Sequence, residues 1–356
     1  MADNASSKPR LLTGDRPTGP LHLGHLVGSL EARVESQDTH ECFIIVADLH
    51  TLTTRPQKQF LDDLPRNVRD VVLDLVSAGI DPAKATIYLQ SGVPAVYDLS
   101  VFLSMLIPKR RLEQIKSLKA MAVAAQLTED AMTLGLLAYP VLQAADILMA
   151  RATLVPVGQD IEEHIDVARE LAMVFNDLYG EVFPLPQAKL SRTPILPGVN
   201  VGVGGTGTKM SKSLGNAIYL KDSKVDVADK LRTIDPDEKH ADGQSPLLAY
   251  ARAFCAPEAA ADLARDFDAG KVTGSALHDA VLQSIEARLE PIRQRRSELD
   301  SETGLVEEIL VDGTIRARTV ANRTLQDVRT AMGFESMWSA FVDATSERAK
   351  ARKRPY

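Results

Sequence analysis

The chain has 356 residues, 45% of them apolar, and a formal net charge of −7. That much apolar material supports a large core, divided between one large and one smaller domain. The acidic balance excludes a protein that coats nucleic acid over its whole surface, though not one with a local basic face. No run of eighteen apolar residues occurs, and the opening MADNASSKPR lacks the hydrophobic middle of an export signal, so a cytoplasmic protein with no membrane partner is expected. Cys42, inside the apolar run ECFIIVAD, and Cys255 are too few and too far apart for a metal knuckle or a disulfide framework. Both read as packing residues.

In chain order, a flexible tail (1–9) is followed by strand RLLTG, a helix from about His22 to Gln37, strand ECFIIVAD, helix NVRDVVLDLVSAGI and the β-rich KATIYLQ. Helical patterns follow in VYDLSVFLSMLI, RLEQIKSLKAMAVAAQ and TEDAMTLGLLAYPVLQAADILMAR, then a short strand ATLVPVG and a long helix starting near Asp160. Alternating strand and helix predicts an α/β fold, a Rossmann-like parallel sheet with a nucleotide-sized crevice at its strand ends. Residues 192–216 are rich in Pro, Gly, Ser and Thr and mark a loop or hinge. Beyond them the pattern is nearly all helix. The expected division is a catalytic domain at 10–220, which includes a mobile loop at 204–216, a helical C-terminal domain at 221–340, and a basic tail at 341–356 ending in ERAKARKRPY.

Two segments carry phosphate chemistry. In GDRPTGPLHLGHLVGSL, residues 14–30, a turn-rich lead delivers His22, Gly24 and His25 to a helix start. Unpaired N–H groups and the partial positive charge of a helix N-terminus, joined by two imidazole donors, make a site for phosphate oxygens. Gly24 leaves room for a flat ring such as adenine to approach the backbone. In GTGTKMSKSLGN, residues 205–216, Lys209 and Lys212 sit with Ser211 and Ser213 on a glycine-rich stretch. A lone K-x-x-K is commonly a solvated turn, and H-x-G-H alone can be an ordinary helix entry. Together, in this order on an alternating α/β chain, the two resemble the paired signatures of the class I aminoacyl-tRNA synthetases.

That resemblance implies ATP as a substrate, with Mg²⁺ bound along with it rather than in a protein cage. His22 and His25 would take the phosphates from one side, and Lys209 and Lys212 would stabilise the departing pyrophosphate from the other, with the loop opening for ATP and closing for chemistry. Within the class, YPVLQAADIL, LVPVGQD and HIDVARELA resemble the bacterial tryptophanyl-tRNA synthetases, and the likeness runs from Arg10 to about residue 333. It implies L-tryptophan and its tRNA as partners, and a homodimer. Residue by residue, it makes Asp146 the acceptor for the indole N–H and Val155 and Val157 the wall of the pocket. Leu12, His50, Tyr139 and Gln143 complete that pocket. ATP contacts fall on Arg16, Pro17, Thr18, Gly24, His25, Gly158, Gln159, Asp160, Ile195 and the loop residues Lys209, Met210, Ser211, Lys212 and Ser213, and Lys119 is a further candidate for the phosphates.

Leu12, Gln143 and Ile161 depart from that family's usual Phe, Met and Gln. Tyr139, Gln143 and Asp146 also spell Y-x-x-x-Q-x-x-D, which the sister tyrosyl-tRNA synthetases share, so tyrosine is the rival substrate. The matching first-strand position holds Leu12, where the bacterial tyrosyl family places a Tyr. A degenerate paralogue acting as a binding or regulatory partner would be expected to lose a loop lysine or a motif histidine, and none is lost. A small nucleotidyltransferase with the same histidine turn would leave the AADIL and VPVG segments unexplained. No segment identifies the tRNA contacts; Lys and Arg of 317–333 or of the C-terminal tail are the candidates.

Overall fold

The computed structural model describes residues 8–124, 127–128, 131–157, 162–190, 195–199, 208–238 and 245–352. Five parallel strands form its centre in the order β3-β2-β1-β4-β5. They are β1 (Arg10–Asp15), β2 (Glu41–Val46), β3 (Ala85–Leu89), β4 (Leu154–Val157) and β5 (Gln187–Leu190). The near-continuous apolar run of β2 is what a strand covered on both faces requires. Leu11 pairs with Cys42 on one side and Leu154 on the other. From β1 the chain steps outward to β2 and β3, then returns to place β4 on the opposite flank of β1, which makes the carboxyl ends of β1 and β4 the switch point where parallel α/β sheets place their ligand crevice.

Strand alternation sorts the core onto two faces. Leu11, Cys42, Ile44, Ala85 and Ile87 belong to one apolar cluster, whereas Leu12, Phe43, Ile45 and Tyr88 belong to the other. The helix Leu64–Ser77 packs Val68, Val71, Val72 and Leu75 into the first; the helices Leu134–Met149 and Glu162–Tyr179 pack into the second.

The C-terminal helices close both faces. Helix Gly274–Ser301 turns Leu277, Val281, Ile285, Leu289 and Ile292, spaced by three and four, into the first cluster. Helix Leu305–Ala331 contributes Ala317, Ala321 and Val328 to the second. It lies along edge strand β3 so closely that a Cβ at Gly313 would stand 1.8 Å from the Ile87 carbonyl oxygen. Next to it, the Thr314 hydroxyl accepts the Leu89 N–H at 3.2 Å.

Several elements differ from their sequence reading. The helix expected from about His22 to Gln37 runs Leu23–Ser36 and carries a π-helical turn at Leu26–Leu30. RLEQIKSLKAMAVAAQ splits into Lys109–Glu113 and Lys116–Ala124, because the Lys116 N–H turns out of the helix to the Glu163 carboxylate. The next helix starts at Leu134, capped by the Thr133 hydroxyl, which accepts the Leu136 N–H. Strand β5 has no counterpart in the sequence reading, since the alternation of QAKL lasts only four residues. Residues 191–194 and 200–207 of the hinge, and the start of the helix near Asp160, lie outside the described residues.

Candidate active site

At the carboxyl end of β1 the chain turns through Arg16, Pro17 and Thr18, closed by the Thr18 N–H on the Arg16 carbonyl at 2.8 Å. His22 then caps the short helix Leu23–His25. Its Nδ1 accepts the Gly24 N–H at 3.1 Å, while its own N–H is donated to His25 Nδ1 at 3.2 Å. With both Nδ1 atoms engaged as acceptors, each neutral ring carries its proton on Nε2, which leaves two ring donors for an anion. A Cβ at Gly24 would lie 3.0 Å from the His22 ring, so the glycine is what lets the imidazole fold back over the helix start. Burial lowers the His22 pKa to about 2 and the His25 pKa to about 4, with the nearby lysine charge of Lys212 acting in the same sense, so both rings are neutral at physiological pH. Beneath them Asp15 is paired with Arg33; burial alone would raise its pKa, but Arg33 and the charges around it hold it at about 2.

The lysine loop is docked on this motif. Lys212 Nζ donates to the Gly19 carbonyl at 2.9 Å. The Met210 side chain is buried, with its Cβ 4.0 Å from where a Gly24 Cβ would stand. Buried Asn216 organises the turn: its Oδ1 accepts the Ser211 N–H at 2.8 Å and its Nδ2 donates to the Thr208 hydroxyl at 3.1 Å. The Ser211 and Ser213 hydroxyls are 2.9 Å apart. Pro197 and Lys209 form an isolated antiparallel bridge, which places the segment carrying Ile195, 65% exposed, beside the loop. Burial lowers the Lys212 pKa to about 8, against the pull of Asp15 and Asp74. Below the loop, Asp74 accepts the Leu21 N–H at 2.7 Å and Arg296 Nε at 2.8 Å, while the Leu21 carbonyl accepts the Leu220 N–H at 3.0 Å. One buried carboxylate thus ties the first motif to helix Gly274–Ser301.

On the other side of β1, the pocket residues gather around Asp146, which is 2% exposed. Its Oδ2 accepts Gln90 Nε2 at 2.7 Å and lies 3.3 Å from His50 Nε2. Among the described residues its buried Oδ1 has no partner, and neither have His50 Nδ1 and the Tyr88 hydroxyl. A bare carboxylate oxygen in an apolar setting costs on the order of 1–3 kcal/mol unless a ligand donor reaches it. Burial pushes the Asp146 carboxyl up, and the bonds from His50 and Gln90 pull it back toward the charged form. Leu12 and Val155 are buried in the cluster that holds Ala144 and Ala145, with Val157 partly buried against it. Tyr139 stands edge-on to His50, ring centroids 5.9 Å apart. Its hydroxyl is 3.0 Å from His164 Nε2, and Gln143 Oε1 is 2.9 Å from His164 Nδ1.

The fold therefore brings together His22, His25, Met210, Lys212 and Gly24 at one end, and Asp146, His50, Tyr139, Gln143, Leu12, Val155 and Val157 at the other. Lys119 is exposed on helix Lys116–Ala124. Gly158, Gln159, Asp160 and Ile161 lie outside the described residues. Gln90, His164, Asp74 and the Asp15–Arg33 pair escaped sequence reasoning. Of these only Gln90 had a signal, as the last residue of KATIYLQ at a strand's carboxyl end.

Residues 4–290 match the family model for class I tRNA synthetases of the W and Y type. The tryptophan–tRNA ligase of Treponema pallidum is 48% identical over 335 residues, covering 92% of this chain and 97% of that protein. That of Chlamydia caviae is 41% identical and covers 94% and 98%. Among solved structures, the Campylobacter jejuni tryptophanyl-tRNA synthetase complexed with ADP and tryptophan superposes with a TM-score of 0.77 at 29% identity, over 91% of this chain and 99% of that one. Motif, crevice and pocket thus sit on one scaffold shared along nearly the whole length, and the chain belongs to the class I tRNA synthetases of the tryptophan and tyrosine type.

Proposed function

We propose that this protein is a tryptophan–tRNA ligase that joins L-tryptophan to ATP as tryptophanyl-adenylate, releases pyrophosphate, and transfers tryptophan to the 3′-terminal adenosine of its tRNA. The observation that carries the amino-acid choice is the bare, buried Oδ1 of Asp146, an acceptor awaiting one N–H donor. An indole supplies that donor and phenylalanine does not, which gives discrimination without editing. Tyrosine is the second reading, favoured by Tyr139, Gln143 and Asp146 on one helix. Against it, the curated relatives above are tryptophan–tRNA ligases.

In activation, the already ionised substrate carboxylate attacks the α-phosphorus and the bond to pyrophosphate breaks. His22 and His25 offer Nε2–H donors to phosphate oxygens, while the Lys212 ammonium leaves the Gly19 carbonyl for the charge that develops on pyrophosphate, joined by Lys209 and the serine hydroxyls. Neutral imidazoles fit this division, since they donate without competing for the charge that the lysines neutralise. A magnesium ion would take its ligands from triphosphate oxygens and water; among the described residues no three His, Cys, Asp or Glu side chains converge on one point. Gly158, Gln159 and Asp160, which follow β4, are assigned to the ribose side of the same crevice, and Ile195 to the adenine.

A cytoplasmic homodimer is part of the proposal. The dimer is supported by Tyr97 and Val101 of helix Ala95–Ser104 and its C-cap Met105, spaced by four and exposed. The catalytic part is assigned to 10–220 and tRNA recognition to 221–340 and the basic tail. ATP–pyrophosphate exchange with tryptophan, tyrosine and phenylalanine tested separately decides the substrate. Exchange with tryptophan alone is expected; exchange with tyrosine alone would move the assignment to the sister activity.

A further inference from the structure

We infer that Gln90 determines amino-acid specificity by fixing the orientation of the Asp146 carboxylate, so that one oxygen is held by protein donors and the other faces the substrate, and that helix Leu305–Ala331 holds Gln90 in place for that task. The inference rests on the tryptophan reading of the Asp146 pocket. Gln90 is fully buried, and both ends of its amide are engaged: Nε2 donates to Asp146 Oδ2 at 2.7 Å and Oε1 accepts the His50 N–H at 3.4 Å. Because His50 Nε2 approaches the same Oδ2, two donors converge on one carboxylate oxygen and the other is left bare. A half turn of the carboxylate merely exchanges two equivalent oxygens, but any rotation out of this plane would take an acceptor away from two buried donors and is disfavoured. The substrate therefore meets a fixed acceptor, and the cost of ordering it has been met in folding.

The backbone around Gln90 is held on both sides. Upstream, the Leu89 N–H is donated to the Thr314 hydroxyl; downstream, Arg318 Nε donates to the Gly92 carbonyl, and the Ser91 N–H is donated to Asp48 Oδ1 at 2.9 Å. Thr314 and Arg318 lie one turn apart on the same helix, so that helix grips the segment carrying Gln90 at two points. Neither residue is within the pocket; both act as positioning residues through Gln90.

The test is steady-state pyrophosphate exchange on the full chain. Gln90→Met keeps the side-chain length and removes the donor; it should raise the tryptophan KM about tenfold, the loss of about one buried hydrogen bond, with ATP KM and saturated kcat little changed. Its preference for tryptophan over phenylalanine should fall in proportion. Gln90→Glu supplies a donor only while protonated, so its tryptophan KM should approach the wild-type value toward low pH and rise as pH increases, a profile the wild type lacks. Arg318→Ala, at an exposed position, should raise tryptophan KM by a few-fold without touching ATP KM.

A folded Gln90→Met protein with unchanged tryptophan KM, or a Gln90→Glu profile identical to wild type, overturns the inference. Wild-type exchange with tyrosine alone would instead overturn the substrate reading and leave the Gln90 effect to be read on tyrosine KM.

Discussion

The two ends of the crevice are built from different materials. The phosphate end relies on backbone groups, a helix start, two neutral rings and a loop held by a few hydrogen bonds to Asn216 and Gly19. The amino-acid end relies on side chains from β1, β4 and helix Leu134–Met149, cross-tied by Gln90 and His164 inside an apolar cluster. The difference follows from what each end must do. Triphosphate is the same in every turnover and its charge must be met as it develops, so donors on a docking loop suffice. Side chains of similar amino acids differ by one donor, so the reader must be rigid and dry.

The contrast can be broken from either side. Asp146→Ala strands the Gln90 and His50 donors and removes the proposed indole acceptor; kcat/KM for tryptophan in pyrophosphate exchange should fall about 10³-fold, with discrimination against phenylalanine lost. Normal discrimination in that variant would remove Asp146 from the recognition role. Lys212→Ala should lower the rate of adenylate formation about 10²-fold while tryptophan binding stays within a few-fold, because the proposed mechanism uses its charge as pyrophosphate leaves. An unchanged single-turnover rate would refute it.

A pH profile sharpens the same point. The Lys212 ammonium is charged below its value of about 8 and loses its proton above, so kcat/KM for ATP should decline as pH rises through 8. Lys212→Arg, whose guanidinium does not titrate there, should remove that limb. On the acid side, His25 has a folded pKa of about 4, below its unfolded value of about 6.5. Between those values the unfolded chain binds the extra proton, so stability is full above the window and falls as pH drops through it, by roughly 1 kcal/mol per pH unit. Denaturant midpoints measured across pH 4–7 should show that slope reduced in His25→Gln. The smallest effect belongs to Ser211→Ala, which loses one exposed hydroxyl contact to Ser213 and should cost only a few-fold in activation rate.

What could be read in advance was local in sequence. The strand runs RLLTG and ECFIIVAD, the histidine turn and the lysine loop each declare themselves within a dozen residues, and each was found in its expected element or turn. The substrate-side residues Asp146, Val155 and Val157 were placed only through family resemblance, since nothing in their local pattern distinguishes a pocket from a core. Gln90 meets Asp146 across 56 positions of chain, and Ser117 meets His164 across 47. Such pairings depend on how elements pack and leave no periodicity behind. β5 leaves no such mark either, because its four residues are strand only by pairing with β4.

Gly313 has a consequence for how the chain avoids sticking to itself. β3 is the outer strand of the sheet, and its outward polar groups are met by helix Leu305–Ala331: Thr314 accepts the Leu89 N–H, and Arg316 donates to the Ala85 carbonyl at 3.4 Å. Any side chain at 313 would collide with Ile87 and lift the helix away. The exposed strand, with its row of free donors and acceptors, would then be a template for strands of other molecules. One missing methyl group thereby keeps this strand edge covered.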